Sequence, residues 1–193
     1  MNDKSSDELL AKQAKEGDTG AFEELFNRYK KPLLNFIYRF IGNRQTAEEV
    51  TIEVFMKAYS NLNIFDPNKK FATWLYTIAR NLSKNSLRDR KYFRDVSLEK
   101  SVFDKDESIK LQDVIADDNA SPDMIAQDEE LSLVAQKILN LLPDKYKEVI
   151  TLCSVQELSY REAAVILGIS VSGVSIRLNE AKRLFMKKLG EIT

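Results

Sequence analysis

The 193-residue chain contains no histidine, so imidazole acid–base or nucleophilic catalysis is closed to it. It has a single cysteine, Cys153, which cannot form an internal disulfide. With no histidine beside it, a zinc site of the Cys/His type cannot be built. Cys153 lies in VITLCSV and reads as a buried packing residue suited to a reducing compartment. Carboxylates are numerous but scattered at helical surface spacings, so an enzymatic reading starts weak. No apolar run approaches the length needed to span a bilayer, and no membrane insertion is expected. The opening MNDKSSDELL is polar and acidic, unlike a secretory signal. These absences together lead us to expect a cytoplasmic protein with no metal and no cofactor.

What is present is a globular composition, 44% hydrophobic and 31% charged. The net charge of −1 hides a strong segregation. Residues 1–93 carry 16 basic and 12 acidic side chains, a net of +4. Residues 94–130 carry 4 and 12, a net of −8, and residues 131–193 carry 9 and 6, a net of +3. Two basic blocks around an acidic stretch predict two domains and a linker. The middle stretch holds SVFDKDES and ADDNASPD, rich in turn formers and without sustained periodicity. We place the domains at 1–93 and 126–193 and the acidic linker at 94–125. Short helical pieces such as Ser108–Ile115 are the most structure expected in that linker.

Residues 159–183, SYREAAVILGISVSGVSIRLNEAKR, read as a helix-turn-helix. Ser159 and Glu162 form an S-x-x-E capping box, and Ala163, Ala164, Ile166 and Leu167 supply a buried side. Gly168 ends this helix where a left-handed residue is needed, Ile169 plugs the turn, and Ser170 caps the next helix. Val174, Leu178, Ala181 and Phe185 share one face, which leaves Ser172, Ser175, Arg177 and Lys182 outward. Such a pair suits a DNA major groove; the plainer alternative is a helical hairpin in an all-helical core. For Arg177 the plainer alternative is an internal ion pair to Glu180.

The first block is helical throughout, and no segment shows strand alternation. Thr19 or Asp18 can cap a helix with Phe22, Leu25, Phe26 and Tyr29. Pro32 is expected to open or kink the next stretch, which ends at Gly42. Thr46 and Glu49 suggest a second capping box, followed by Val50, Val54 and Ala58 on one face and Ile52, Phe55 and Tyr59 on another. After an Asp-Pro-Asn turn, FATWLYTIARNLSKNSLRDRKYF places Phe71, Trp74, Leu75, Ile78 and Leu82 at helical spacing.

Between Lys69 and Lys91 there are seven basic residues and one acid, Asp89. Arg80, Lys84 and Arg88 repeat every four residues and form one stripe, with Asn81 and Asn85 beside it. Phosphates attract such a stripe, and amides read base edges. Trp74, Tyr76, Tyr92 and Phe93 offer stacking faces for unpaired bases. The alternatives are a solvated face for the stripe and core packing for Trp74.

The blocks AFEELFNRYKKPLLNFIYRF, TAEEVTIEVFMKAY, FATWLYTIARN, LPDKYKEVITL and SYREAAVILGISVSGVSIRLNEAKRLFMKKL, in this order, resemble an extracytoplasmic-function (ECF) sigma factor of the bacterial sigma-70 family. The resemblance implies an all-α fold of two small helical domains, a region 2 bundle and a region 4 helix-turn-helix, joined by the linker. It implies binding to core RNA polymerase and to the −10 and −35 elements of promoter DNA, with no bond chemistry of its own. Glu48, Glu49, Glu53 and Phe55 would face the polymerase clamp. Asn68, Lys69, Lys70, Trp74, Arg80, Asn81, Lys84 and Arg88 would meet the −10 element, with the loop near Phe65–Lys70 resembling one that captures a flipped-out base. Arg161, Ser170, Val171, Ser172, Ser175, Arg177, Lys182 and Arg183 would meet the −35 element. Ser175 stands where the family often has Lys or Arg, and Ile52 where it often has Gln. An anti-sigma factor is a family-level expectation. In related proteins the linker threads a polymerase channel; a solubilising tether is the alternative. Rival readings are a regulator with a sensor domain, a nucleic-acid enzyme and a protein-interaction module.

Overall fold

The computed structural model describes residues 5–100 and 133–192, with side chains described for 5–89 and 133–191. Among these residues there is no strand. Expectations that fall on 101–125, including the Ser108–Ile115 piece, lie outside the described residues, as do the side chains of Tyr92 and Phe93.

Four helices build the N-terminal half: α1 (Asp7–Lys15), α2 (Thr19–Ile41), α3 (Arg44–Ser60) and α4 (Phe71–Lys100). Asp18 caps α2 by accepting the Ala21 amide at 3.2 Å, so Asp18 rather than Thr19 is the cap. Asp7 ties α1 to α2 by accepting from Arg28 and Tyr29. Pro32 neither opens nor ends a helix, because α2 runs through it. Leu25 before it and Leu33, Phe36, Ile37 and Phe40 after it are all buried without exposure. That continuous packed side outweighs the roughly 3 kcal/mol a mid-helix proline costs. The box expected at Thr46 and Glu49 is also displaced. Asn43 caps α3, accepting the Thr46 amide at 2.9 Å, and Thr46 lies inside the first turn. Helix α4 continues to Lys100, so the first residues of the expected linker are helical in backbone.

The C-terminal half comprises α5 (133–141), α6 (Asp144–Ile150), a π-helical turn (Thr151–Val155), α7 (Tyr160–Leu167) and α8 (Val171–Ile192). Ser159 and Glu162 make the reciprocal capping box, and Ala163, Ala164, Ile166 and Leu167 are buried as expected. Gly168 is left-handed (φ 67°), and α8 leaves α7 at 96°. The two halves touch. Gln136 of α5 donates to the Arg39 carbonyl (3.3 Å), and Tyr76 Oη donates to Gln156 Oε1 (2.7 Å).

Gly42 closes α2 at φ 78°, and a Cβ there would approach Asn140 Oδ1 to 2.6 Å. Gly42→Ala is therefore expected to destabilise the chain by about 1–2 kcal/mol through left-handed strain. Adding Asn140→Ala relieves the collision but not the strain. Chemical denaturation should show only partial recovery in the double variant.

Candidate nucleic-acid interface

Helix α4 begins on an aromatic cluster. Phe71 is buried, and Trp74 packs on Phe65 (ring centroids 5.1 Å apart) and Phe71 (5.7 Å). The first α4 amide, that of Phe71, donates to Glu8 Oε1 of α1 at 3.3 Å. Half-buried Trp74 thus takes the core-packing role, and Phe65 of the loop is core as well. Asp66, Asn68, Lys69 and Lys70 are the exposed residues of this loop. They are held by a tight turn in which Asp66 Oδ1 accepts both the Asn68 amide and its side-chain Nδ2 at 3.0 Å. Those bonds hold the Asp66 carboxyl below its usual range.

Farther along α4, Leu75, Ala79 and Leu82 are buried against the bundle. Helical geometry then turns Arg80, Lys84 and Arg88 the other way, as one stripe. The stripe is present, but its first two members are not bare. Arg80 grips Glu148 of α6 with both arms of its guanidinium, Nε to Oε1 at 3.0 Å and an Nη to Oε2 at 3.3 Å. Lys84 Nζ lies 3.4 Å from the same Oε1. The Glu148 side chain is 3% exposed and that of Arg80 17%. Expected to face nucleic acid, Arg80 and Lys84 instead face the C-terminal half in this arrangement, because a buried carboxylate needs cationic partners. Asn81, Asn85 and Arg88 stay exposed along an open groove that Asp144 also lines. Next to Glu148, burial lowers the affinity of the Lys147 amine for its proton, and Asp144 at 3.8 Å opposes this. Burial also raises the Tyr76 phenol and the Cys153 thiol above their ordinary values.

On the helix-turn-helix, the Ser170 hydroxyl accepts the Gly173 amide (3.0 Å) and lies 3.0 Å from Ser172 Oγ, so it is engaged as the α8 cap. Val174, Leu178 and Ala181 are buried, and Phe185 packs partly against them. Ser172, Lys182 and Arg183 are exposed, as are Arg161 and Val171; Ser175 and Arg177 are half-buried at the flanks. The expected alternative partner of Arg177 is otherwise engaged, since Glu180 accepts from Tyr146 Oη at 2.7 Å. Sequence reasoning missed two outward residues, Ile176 and Asn179. With Ser172 and Arg183 they form a stripe at spacings of three and four, a pattern the sequence carried.

On α3, Glu48, Glu49 and Glu53 are exposed, and Glu48 pairs with Arg44 at 3.0 Å. Phe55 is corrected. It is 5% exposed, with its ring 4.6 Å from Phe26 and inside the core. The exposed apolar residues of this helix are Ile52 (61%) and Met56 (65%), joined by Tyr59. Ile52, Met56 and Tyr59 follow one another at spacings of four and three, whereas Phe55 shares the side of Thr51 and Ala58.

A helical bundle with a basic stripe, followed by a capped helix-turn-helix, is an arrangement that known proteins share. Residues 25–92 match the family model "Sigma-70 region 2", and residues 132–185 match "Sigma-70, region 4". Over 181 residues the chain is 36% identical to the ECF RNA polymerase sigma factor SigW of Bacillus subtilis, covering 94% of this chain and 95% of that one. The chain belongs to the ECF sigma factors of the sigma-70 family. Two solved structures share the fold. One is CnrH in complex with the cytosolic domain of CnrY (TM-score 0.72, 24% identity, 98% of this chain and 100% of that chain). The other is the sigma factor RpoE with the anti-sigma factor NepR from Bartonella quintana (TM-score 0.65, 23% identity, 88% and 96%). As a sigma factor the chain is a promoter-specificity subunit of RNA polymerase and not an enzyme. No single described helix is long and apolar enough to cross a membrane.

The aromatic cluster generates a prediction about Trp74. Trp74→Ala is expected to destabilise the free chain by about 2 kcal/mol, and Trp74→Phe by much less. Thermal melting in the absence of nucleic acid checks this. A residue used only to contact a base would leave the melting temperature unchanged.

Proposed function

We propose that three faces divide the work of promoter recognition. The loop residues Asn68, Lys69 and Lys70, with Arg80, Asn81, Lys84 and Arg88 of α4, meet the −10 element, and Trp74 supports the loop from beneath. The outward face of α8, Ser172, Lys182 and Arg183 with Asn179 added, meets the −35 element, flanked by Arg161, Val171, Ser175 and Arg177. The exposed side of α3, Glu48, Glu49 and Glu53 with Ile52 and Met56 in place of Phe55, docks on core polymerase. In this reading residues 1–93 perform the region 2 tasks, residues 126–193 the region 4 tasks, and the chain works in the cytoplasm. An anti-sigma factor is a further partner class, as in the RpoE–NepR complex whose sigma subunit shares the fold.

The observation that carries the reading is the pairing of two nucleic-acid-suited faces on separate halves of one chain. One is a stripe of Arg80, Lys84 and Arg88 with exposed amides beside it, and the other is an open outward face on the second helix of a helix-turn-helix. A phosphate backbone needs the first, and a major groove admits the second. The test is reconstitution with core polymerase, followed by sequencing of the transcripts made on genomic DNA. Failure to co-purify with core polymerase, or transcripts without a common upstream element, would refute it.

Two sets of variants resolve the faces. Arg80→Ala, Lys84→Ala and Arg88→Ala together should reduce open-complex formation while core-polymerase binding stays intact. The salt slope of binding should fall by roughly 0.7–0.9 for each phosphate that the variant no longer neutralises. On α8, Arg177→Ala should relax −35 preference by ~1–3 kcal/mol if its guanidinium reaches a base. Lys182→Ala should weaken binding evenly across sequences. Footprinting on matched and scrambled −35 elements separates the two behaviours, and equal weakening on both by Arg177→Ala would mean that its guanidinium meets a phosphate.

A further inference from the structure

Helix α4 starts without a cap of its own. Lys70 takes the cap position, since its carbonyl accepts the Trp74 amide at 3.2 Å, but its ammonium cannot accept from an orphan amide. No acidic residue stands in the first turn of α4 to offset the positive end of the helix. The missing acceptor comes from α1. Half-buried Glu8 accepts the Phe71 amide, 63 residues away in sequence, through Oε1 at 3.3 Å. Two turns farther along the same face of α1, Lys15 Nζ donates to the Phe65 carbonyl at 3.4 Å. One helix therefore holds both ends of the loop 66–70: the carbonyl through which the chain enters and the amide through which it leaves. The Lys15 ammonium also joins the Asn68 bonds and Lys69 in keeping the Asp66 carboxyl charged. Helix α1, only 9 residues long, is itself anchored. Leu10 and Ala11 are buried in the core, and Asp7 accepts from Arg28 and Tyr29 of α2.

We infer that Glu8 and Lys15 are positioning residues for base selection: α1 braces the loop 66–70 against the start of α4, so that Asn68, Lys69 and Lys70 stand in one placement before DNA arrives. This inference rests on the proposed reading of that loop as part of the −10 face. Bonds within the loop fix its shape but not its place. Asp66 Oδ1 accepts from Asn68, and the Asp66 carbonyl accepts the Lys69 amide at 2.9 Å. Beneath the loop, the rings of Phe65, Phe71 and Trp74 form an apolar floor, and apolar attraction has no direction. Hydrogen bonds do have direction, so the two from α1 supply what the floor lacks. Selection among bases is a difference between contacts made and contacts missed, and it shrinks when the contacting groups sample several placements. Order established in the free protein is also not a cost when DNA binds. Neither Glu8 nor Lys15 needs to touch a base to do this.

The test uses the full chain assembled with core polymerase, on a promoter recovered by the transcript sequencing and on its variants with each base at each −10 position. The readout is the ratio of open-complex formation between the best and the worst base. Glu8→Ala with Lys15→Met removes both bonds and is expected to lower that ratio about fivefold, the low end of what one well-placed base contact supplies. Preference at the −35 element should not move. Glu8→Gln with Lys15→Arg restores an acceptor and a donor and should return most of the ratio. A merely structural helix would behave otherwise: the double variant would melt earlier and open every promoter less by one common factor. That outcome, or an unchanged ratio, overturns the brace. If circular dichroism shows the double variant unfolded, Lys15→Met alone decides the matter by the same ratio, because Lys15 is exposed. Asn68→Ala with Lys69→Ala, measured alongside, separates the two failures. Loss of the ratio in this loop variant but not in the α1 variants overturns the brace only, whereas no loss in the loop variant overturns the reading of the loop as well.

Discussion

Helix α4 gives its apolar side to the N-terminal bundle, where Phe71, Leu75, Ala79 and Leu82 pack against α2 and α3. With 3.6 residues per turn, that single act of burial fixes the direction of every other side chain on the helix. Arg80, Lys84 and Arg88 have nowhere to point but away from the bundle. The same helix therefore forms a wall of one core and an outer face for charged partners. Placement of the loop 66–70 depends on it too, because the rings of Phe65, Phe71 and Trp74 meet where α4 starts. The C-terminal half meets this outer face through Glu148, whose burial requires the cations that α4 presents.

The halves are joined by apolar packing like that within each half, together with a set of polar bonds. Inside the N-terminal bundle, large side chains such as Phe36, Phe40 and Leu25 are wholly buried, each worth about 1.5–3 kcal/mol. Between the halves, α7 packs on α4 and the π-helical turn on α2 within one continuous apolar core, and amide, phenol and carboxylate bonds worth nearer ~1 kcal/mol each are added at its edge. A sigma factor must span two promoter elements with two domains. Any change in their separation therefore has to uncover apolar surface as well as exchange polar bonds for water.

Local chemistry was legible in the sequence because its causes lie within a few residues. The Ser159–Glu162 box, the left-handed Gly168 and the buried side of α7 each follow from a turn of helix. The charge stripe on α4 was readable by the same arithmetic. Misreadings came where packing overrode a local signal. Pro32 is expected to open or kink a helix; it does not open one, since residues on both sides of it share one buried face of α2. Thr46 looked like a cap, yet Asn43 takes that position three residues earlier. Phe55 looked like a contact for polymerase, yet it faces Phe26 of α2. Least visible was the partner of Arg80, because Glu148 lies 68 residues away and nothing local announces a long-range ion pair.

The chain has one tryptophan and one cysteine, and they fall on opposite halves. Trp74 is wedged under the loop 66–70, and half-buried Cys153 sits in the π-helical turn beyond α6. The unaltered molecule thus carries a single optical donor and a single attachment point for an acceptor dye, one on each side of the domain boundary. Burial raises the thiol above its ordinary value, which slows its alkylation near neutral pH. Any separation that hydrates Cys153 would speed that reaction, so labelling rate and energy transfer become two independent clocks on the same movement.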